Sequence, residues 1–359
     1  MSTVPAAQPA LPSFLLPPPR PAGESGDPRA HDWSPVLRWL DEGQAFLLTT
    51  HVNPDADGLG SLAALAHTLV ERGKRVTIVL PSPLPSFCRF LLAEFPGPLR
   101  QTPADCRPED LEGLDRAVIL DVSGPERIGG VAALLEERAL PTLILDHHQS
   151  NELRAPLCVV FPGLSSTGEL MGALLAAWGT PVTLPVARAL YAALTSDTGG
   201  FAFACTTGDT LELAAALVRA GAQPARIHEE LNQNYPAARY DLLARFLATR
   251  RSHGEGRLQE FELSLDMLSA SGASREDSEG FVNLGLAIQG SRMSVLFCEL
   301  EEGRFKVNFR CVEPYDVCTL ARALGGGGHR LAAGATVEGR LDELRPRVLE
   351  SALAQLGPA

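Results

Sequence analysis

Between positions 33 and 221 the apolar residues fall into short unbroken runs separated by stretches with helical spacing. Residues 45–50 form the first run. Beyond a turn, Leu62, Leu65, Ala66 and Leu69 recur three and four apart, the stripe of a helix packed on one side. Gly73 suits the stop of that helix, and residues 76–80 predict a second strand. Residues 117–120 and 142–145 are further short apolar runs, the form taken by parallel strands buried on both faces. A strand–helix alternation of this kind predicts an α/β domain with helices on both sides of a parallel sheet. Residues 209–250 predict mostly helix, punctuated by Pro224 and Pro236. Strands are then expected near 258–263, 293–300 and 305–312, with helices at 276–288, 317–324 and 341–356. No repeat of fixed period is visible.

This pattern predicts four segments. Residues 1–30, rich in Pro, Ala, Gly and Ser, read as a disordered tail. Residues 31–221 form the parallel-sheet α/β domain, 222–255 a helical linker, and 256–359 a smaller C-terminal α/β domain. A length of 359 residues suits two domains, and 45% hydrophobic with 21% charged residues is an ordinary globular balance. The formal net charge of −12 argues against coating long nucleic acid by counterion release. It leaves room for a local basic pocket, and for carboxylates that hold metal. Seven scattered cysteines, with no Cys-x-x-Cys pair, argue against a disulfide framework or a structural zinc site. Buried free thiols in a reducing cytoplasm are expected. No apolar run approaches the roughly 20 residues of a membrane span. The first residues lack the basic start and apolar stretch of a signal peptide.

Chemistry-bearing residues gather in four places. His51-Val-Asn53-Pro54-Asp55-Ala-Asp57-Gly58 follows the first strand. Asp121 follows the run 117–120, and Asp146-His147-His148 follows 142–145. Ser196-Asp197-Thr198-Gly199-Gly200 follows an apolar helix at 186–194. In an open α/β sheet, ligands bind outside the carboxyl ends of the strands, so these distant residues can converge on one crevice. Taken singly, an Asp after a strand is more often a helix cap or turn former. Taken together, several aspartates and histidines in one crevice would repel or stay unpaired without a cation. A divalent metal pair resolves that cost, and oxygen and imidazole ligands suit Mn, Fe, Co or Zn.

The four segments resemble the motifs of the DHH phosphoesterase superfamily, named for the triplet that here is Asp146-His147-His148. Gly325-Gly326-Gly327-Gly328-His329 resembles the hallmark of the companion DHHA1 domain. Together they resemble the DHH–DHHA1 subfamily of NrnA-like nanoRNase and pAp phosphatases, from Trp33 to the C-terminus. The resemblance implies two divalent ions, manganese being usual for the family. By position, His51, Asp55 and Asp121 would hold one ion. Asp57, Asp121, His147 and Asp197 would hold the other, with Asp121 bridging. His148 would face the substrate phosphate, as a donor to a phosphoryl oxygen or to the leaving group. Asn53 and Pro54 fit the first motif as loop-shaping residues. The segment Gly163-Leu-Ser165-Ser166-Thr167-Gly168 reads as a structural helix cap beside the crevice.

The same resemblance gives the second domain the task of gripping substrate. The unobstructed amides of Gly326, Gly327 and Gly328 suit an anion nest, and His329 adds a donor. A bare glycine run would otherwise read as a flexible turn. Arg310, at the end of the strand expected at 305–310, suits a fork onto a terminal phosphate. Arg127 is a second candidate, whereas Phe201 and Phe203 read as core residues rather than base-stacking ones. The expected partners are short RNA or DNA oligonucleotides, linear or cyclic dinucleotides and 3′-phosphoadenosine 5′-phosphate (pAp). No membrane partner is expected, and a homodimer is open. Three other readings compete: a RecJ-like single-strand exonuclease, an inorganic pyrophosphatase, and a non-catalytic nucleotide-binding module. The glycine–histidine motif opposes the second, and the full ligand set opposes the third.

Overall fold

The apolar runs become strands in a computed structural model that describes residues 27–149, 151–328 and 330–357. Residues 1–26, most of the expected tail, lie outside these. The chain divides into two compact units, the first ending at Asn234 and the second beginning at Tyr235.

The first unit contains β1 (Ala45–Thr49), β2 (Arg75–Val79), β3 (Leu99–Arg100), β4 (Arg116–Leu120), β5 (Thr142–Asp146) and β6 (Leu157–Val160). Their order across the sheet is β3-β2-β1-β4-β5-β6, and every neighbouring pair is parallel. Its helices are α1 (Ser34–Glu42), α2 (Ala56–Glu71), α3 (Arg89–Leu92), α4 (Pro108–Leu111), α5 (Val131–Arg138), α6 (Thr167–Ala177), α7 (Leu184–Asp197), α8 (Gly208–Arg219) and α9 (Pro224–Asn232). Strand side chains alternate between two cores. Phe46, Leu48, Val118 and Leu120 join the one built with α1, α2, α6 and α7. Leu47, Ala117 and Ile119 join the other, with Leu111, Val131 and Leu135 of α4 and α5. Burial on both faces explains why these strands read as unbroken apolar runs rather than alternating ones. The strand order reverses between β1 and β4. That switch point opens a crevice beyond the strands' carboxyl ends.

The folded chain starts before the expected tail boundary at residue 30. Pro28–Ala30 form a 3-10 turn. The Arg29 guanidinium lies 3.1 Å from Asp209 Oδ2, and the Trp33 indole donates to the Pro28 carbonyl at 2.8 Å. These contacts tie the turn to the domain.

The second unit contains α10 (Ala237–Ala248), β7 (Arg251–His253), β8 (Leu258–Leu263), α11 (Leu265–Ser271), β9 (Met293–Glu301), β10 (Arg304–Cys311), α12 (Val317–Ala323), β11 (Gly327–Gly328), β12 (Ala332–Glu338) and α13 (Leu341–Leu356). Its sheet runs β11-β12-β10-β9-β8-β7, antiparallel except for the β8–β9 pair. Period-two alternation again feeds two cores. Met293, Val295 and Phe297 pack with Leu344, Val348 and Ala352 of α13. Leu296 and Cys298 pack with Leu242 and Phe246 of α10. Residues 222–255 are shared between the units, since α9 closes the first while α10 and β7 open the second.

One predicted helix fails. Residues 276–288 form two 3-10 turns, Glu276–Ser278 and Phe281–Gly285, instead of a continuous α-helix. Gly280 breaks the segment at φ +81, a left-handed conformation that glycine adopts without strain. The Arg239 guanidinium takes the carbonyls of Asp277 and Glu279, which a helix would have used internally. The expectation of buried thiols holds for Cys88, Cys298, Cys311 and Cys318 but fails for Cys158 and Cys205, which are exposed. Among the described residues no helix is long and apolar enough to cross a membrane.

Candidate metal centre

The centre is built from the ends of β1, β4 and β5 and from the termini of α2, α6 and α7. Beyond β1 the chain reaches His51, whose Nδ1 lies 3.0 Å from the carbonyl of Val52. That contact makes Nδ1 the donor and leaves the Nε2 lone pair for a ligand. The Val52 amide donates to the carbonyl of Arg127 at 2.7 Å. Asn53 turns the loop at φ +51, a conformation in which asparagine is enriched.

Asp55 then caps α2, accepting from the amides of Asp57 and Gly58 at 3.0 Å each. The same Oδ1 lies 3.6 Å from His51 Nε2, so capping and membership of the cluster coincide in one residue. Asp57, in the first turn of α2, is fully buried. Its carboxylate accepts from the amides of Thr167 at 2.8 Å and Gly168 at 2.9 Å, at the start of α6.

Asp121 leaves β4 at φ +60, and its amide still donates to Leu145 across to β5 at 2.9 Å. Its two oxygens face different partners. Oδ2 lies 3.5 Å from His51 Nε2, and Oδ1 lies 3.7 Å from His147 Nε2. Thr167 Oγ1 also donates to Oδ1 at 3.0 Å.

Beyond β5, His147 places Nδ1 3.2 Å from the carbonyl of Leu164, and its Nε2 lies 3.2 Å from Asp197 Oδ2 and 3.7 Å from Asp57 Oδ2. Asp197 is the last residue of α7. His148 Nδ1 donates to Asp146 Oδ1 at 2.6 Å, and Asn151 Nδ2 donates to Asp146 Oδ2 at 2.7 Å. Three groups therefore offer ligand atoms within 4.8 Å of one another: His51, Asp55 and Asp121; Asp57, His147 and Asp197; and Asp121, His147 and His148.

Electrostatics tests whether divalent cations suit this donor set. Burial, then the charges of Asp121 and Asp197, pushes the Asp57 carboxyl well above the usual carboxylate range. Burial also raises Asp197, to about 6, despite its hydrogen bond to His147. Burial alone would lower His51, but Asp55 and Asp121 outweigh it and hold the imidazole at about 10. His147 is held at about 11, burial again being outweighed by Asp197, Asp57 and Asp121. Among the described residues, protons on His51 and His147 offset the carboxylates of the cluster, a charge that a divalent cation would replace. Space agrees with charge. A Cβ on Gly58 would lie 3.2 Å from His51 Nε2, 3.3 Å from Asp121 Oδ2 and 2.4 Å from Thr50 Oγ1. The glycine keeps that cradle open, and the donor set fits divalent metal.

In the second unit, Arg310 pairs with Ala332 of β12, and its Nη1 donates to the Phe309 carbonyl at 2.9 Å. Burial pushes its guanidinium down from the ordinary value. The glycine run is no loose turn. Gly327 and Gly328 pair with Gly334 and Ala333 of the same β12, forming the edge strand β11. A Cβ on Gly326 would lie 2.2 Å from the Gly334 carbonyl, so close backbone approach requires glycine there. Arg310 and the glycines thus flank one strand. His329 lies outside the described residues.

Arg127 sits on the 3-10 turn Pro125–Ile128, with its Nε buried and without a hydrogen bond among the described residues. Phe201 packs edge-on against Tyr191, as a core residue should. Phe203 does not: it is 58% exposed, on the turn that follows α7. Ser166 caps α6 by accepting from Glu169 at 3.0 Å, as expected of that segment. The contacts of Thr167, Gly168 and Asn151 with the site were not expected. The helix-start pattern Ser-Thr-Gly-Glu signals a cap, but not which distant carboxylates its amides receive.

Residues 45–194 match the DHH family, N-terminal domain, and residues 264–356 match the DHHA1 domain. The chain is 33% identical over 318 residues to the bifunctional oligoribonuclease and PAP phosphatase NrnA of Thermus thermophilus, covering 88% of this chain and 91% of that one. The protein of the same description from Bacillus subtilis is 28% identical, covering 84% of this chain and 92% of that one. In three dimensions the chain resembles an exopolyphosphatase-related protein from Bacteroides fragilis. The TM-score is 0.82 at 24% identity, over 89% of this chain and 94% of that one.

Proposed function

Because the chain belongs to the DHH–DHHA1 phosphoesterase family, NrnA-like branch, we propose that it is a two-metal, manganese-dependent hydrolase of short oligonucleotides and of 3′-phosphoadenosine 5′-phosphate. Linear and cyclic dinucleotides fall within the same substrate class, and we place the enzyme in the cytoplasm. The observation that carries the reading is the disposition of Asp121, one oxygen toward His51 and the other toward His147. A carboxylate so placed can serve two ligand groups at once, His51–Asp55 on one side and Asp57–His147–Asp197 on the other.

Bound at these ligands, divalent ions supply Lewis-acid charge to the phosphoryl oxygens and lower the pKa of a water. The chain's own residues do the rest. His51 and His147 commit Nδ1 to backbone carbonyls, which fixes the tautomer that presents Nε2 as a ligand. Asp57 is held by two helix-start amides and Asp55 by its own cap, so the carboxylates are oriented before a substrate arrives. Asn151 orients Asp146, and Asp146 accepts a hydrogen bond from His148 Nδ1. His148 can then hold a proton at Nε2 against a phosphoryl oxygen or the leaving oxygen, the role we give it. The Gly326 amide donates to the carbonyl of Ala321 at 2.8 Å and so does not join the expected nest. In the second unit we assign Arg310 and the Gly327–Gly328 segment, with His329, to a terminal phosphate of the substrate. The DHHA1 match supports a nucleotide substrate over pyrophosphate.

A substrate panel with Mn²⁺ tests this: labelled RNA of two to about twelve nucleotides, pAp, cyclic di-AMP and pyrophosphate. The proposal expects the shortest RNAs and pAp to be cut fastest. Rates that rise with RNA length, or turnover of pyrophosphate alone, would overturn it.

A further inference from the structure

Thr167 is fully buried and contributes two hydrogen bonds to carboxylates that come from different strand ends. Its amide donates to Asp57 Oδ2 at 2.8 Å, and its hydroxyl donates to Asp121 Oδ1 at 3.0 Å. Asp57 is 110 residues away in sequence and Asp121 is 46. The adjoining amide of Gly168 takes the other oxygen of Asp57 at 2.9 Å. Ser166 fixes the start of α6, accepting from Glu169. A buried Glu169 anchors the segment further, receiving the Ser165 amide at 2.9 Å and its hydroxyl at 2.6 Å. The first turn of α6 is therefore held from both sides before it touches the centre.

The geometry points to Thr167 as a positioning residue that sets the spacing of Asp57 and Asp121 in the second ligand group. The inference rests on the two-metal reading above. A carboxylate accepts, so the hydroxyl must donate to Asp121, and the donated bond occupies one lone-pair direction of Oδ1. The other stays available beside His147, whose Nε2 is 3.7 Å away. The bond also restrains rotation of the Asp121 carboxylate, which keeps Oδ2 toward His51 and Oδ1 toward His147. The helix-start amides of Thr167 and Gly168 meanwhile fix the direction of the Asp57 carboxylate. Without the hydroxyl, Asp121 keeps its charge and loses the restraint on its direction.

The test is a Mn²⁺ titration of the full chain by calorimetry, with Thr167→Val and Thr167→Ser. Valine keeps the branched shape and removes the hydroxyl, whereas serine keeps the hydroxyl. Thr167→Val should weaken the weaker Mn²⁺ site about ten- to hundredfold, the worth of one hydrogen bond to a charged group. Its hydrolysis should recover toward wild type as Mn²⁺ is raised, and Thr167→Ser should stay within about threefold on both counts. Wild-type Mn²⁺ affinity in Thr167→Val would overturn the inference. Equal damage in the serine variant would overturn it too, by assigning the effect to packing. Should the valine variant lose its circular dichroism spectrum, Thr167→Ala is judged by the same titration. If the wild-type chain itself takes up only one Mn²⁺, the two-metal reading fails first, and the inference with it.

Discussion

Replacing Gly58 by alanine asks whether the space between the ligands matters as much as the ligands. Gly58 lies in the first turns of α2, where alanine is favoured over glycine by about 0.8–1 kcal/mol. If the position were only helical, Gly58→Ala would stabilise the protein. The added methyl instead meets Thr50 Oγ1 at 2.4 Å, His51 Nε2 at 3.2 Å and Asp121 Oδ2 at 3.3 Å. Among the described residues Thr50 Oγ1 has no hydrogen-bond partner, so a rotation of that hydroxyl would cost no hydrogen bond. The remaining contacts fall on His51 and Asp121, the two proposed ligands, which must each give by a few tenths of an ångström. Overpacking costs about 1–3 kcal/mol, so the metal-free protein should range from unchanged to about 2 kcal/mol less stable. The main loss should be in metal binding, about ten- to hundredfold, the scale seen when the support of ligating residues is disturbed. Mn²⁺ calorimetry beside thermal melting in EDTA separates the two effects. A variant with wild-type Mn²⁺ affinity and normal turnover would refute the argument from space.

Other consequences follow from the same geometry. Asp121→Ala should abolish hydrolysis and lower metal content while circular dichroism stays native; two retained ions with near-normal turnover would contradict its placement. Mn²⁺ binding at neutral pH should release protons, because His51 and His147 are held at about 10 and 11 in the metal-free cluster. Apparent affinity should therefore rise with pH, and calorimetry in buffers of different ionisation heat counts the protons; a heat independent of buffer would refute this. Arg310→Ala should cost about ten- to hundredfold in kcat/KM on nucleotides and leave a small artificial phosphodiester nearly untouched, with both ions still bound. Equal loss on both substrates would return Arg310 to a structural role.

The centre was unusually legible in the sequence because its residues stand at the ends of buried parallel strands. Such strands read as apolar runs, and an ionisable residue directly after three of them marks the crevice, at His51, Asp121 and Asp146. The supporting contacts were not legible. Ser and Thr at helix starts are common, and nothing local tells that Thr167 meets Asp57 and Asp121. The glycine run was equally ambiguous: its strand character comes from the facing backbone of Gly334 and Ala333, which sequence spacing does not reveal. Residues 276–288 carried enough apolar residues for a helix, and the break came from Gly280 and from Arg239 drawing off carbonyls from another element. What local patterning determines was readable; what depends on a distant partner was not.

The central claim is that phosphoester hydrolysis occurs at a metal centre organised around Asp121. Protein stripped with EDTA is assayed on a labelled RNA dinucleotide and on pAp, before and after Mn²⁺ is returned, beside Asp121→Ala treated identically. The account predicts no hydrolysis by the stripped protein, full recovery of both activities with Mn²⁺, and no recovery in the variant. Hydrolysis by the stripped protein, or recovery in Asp121→Ala, would contradict it.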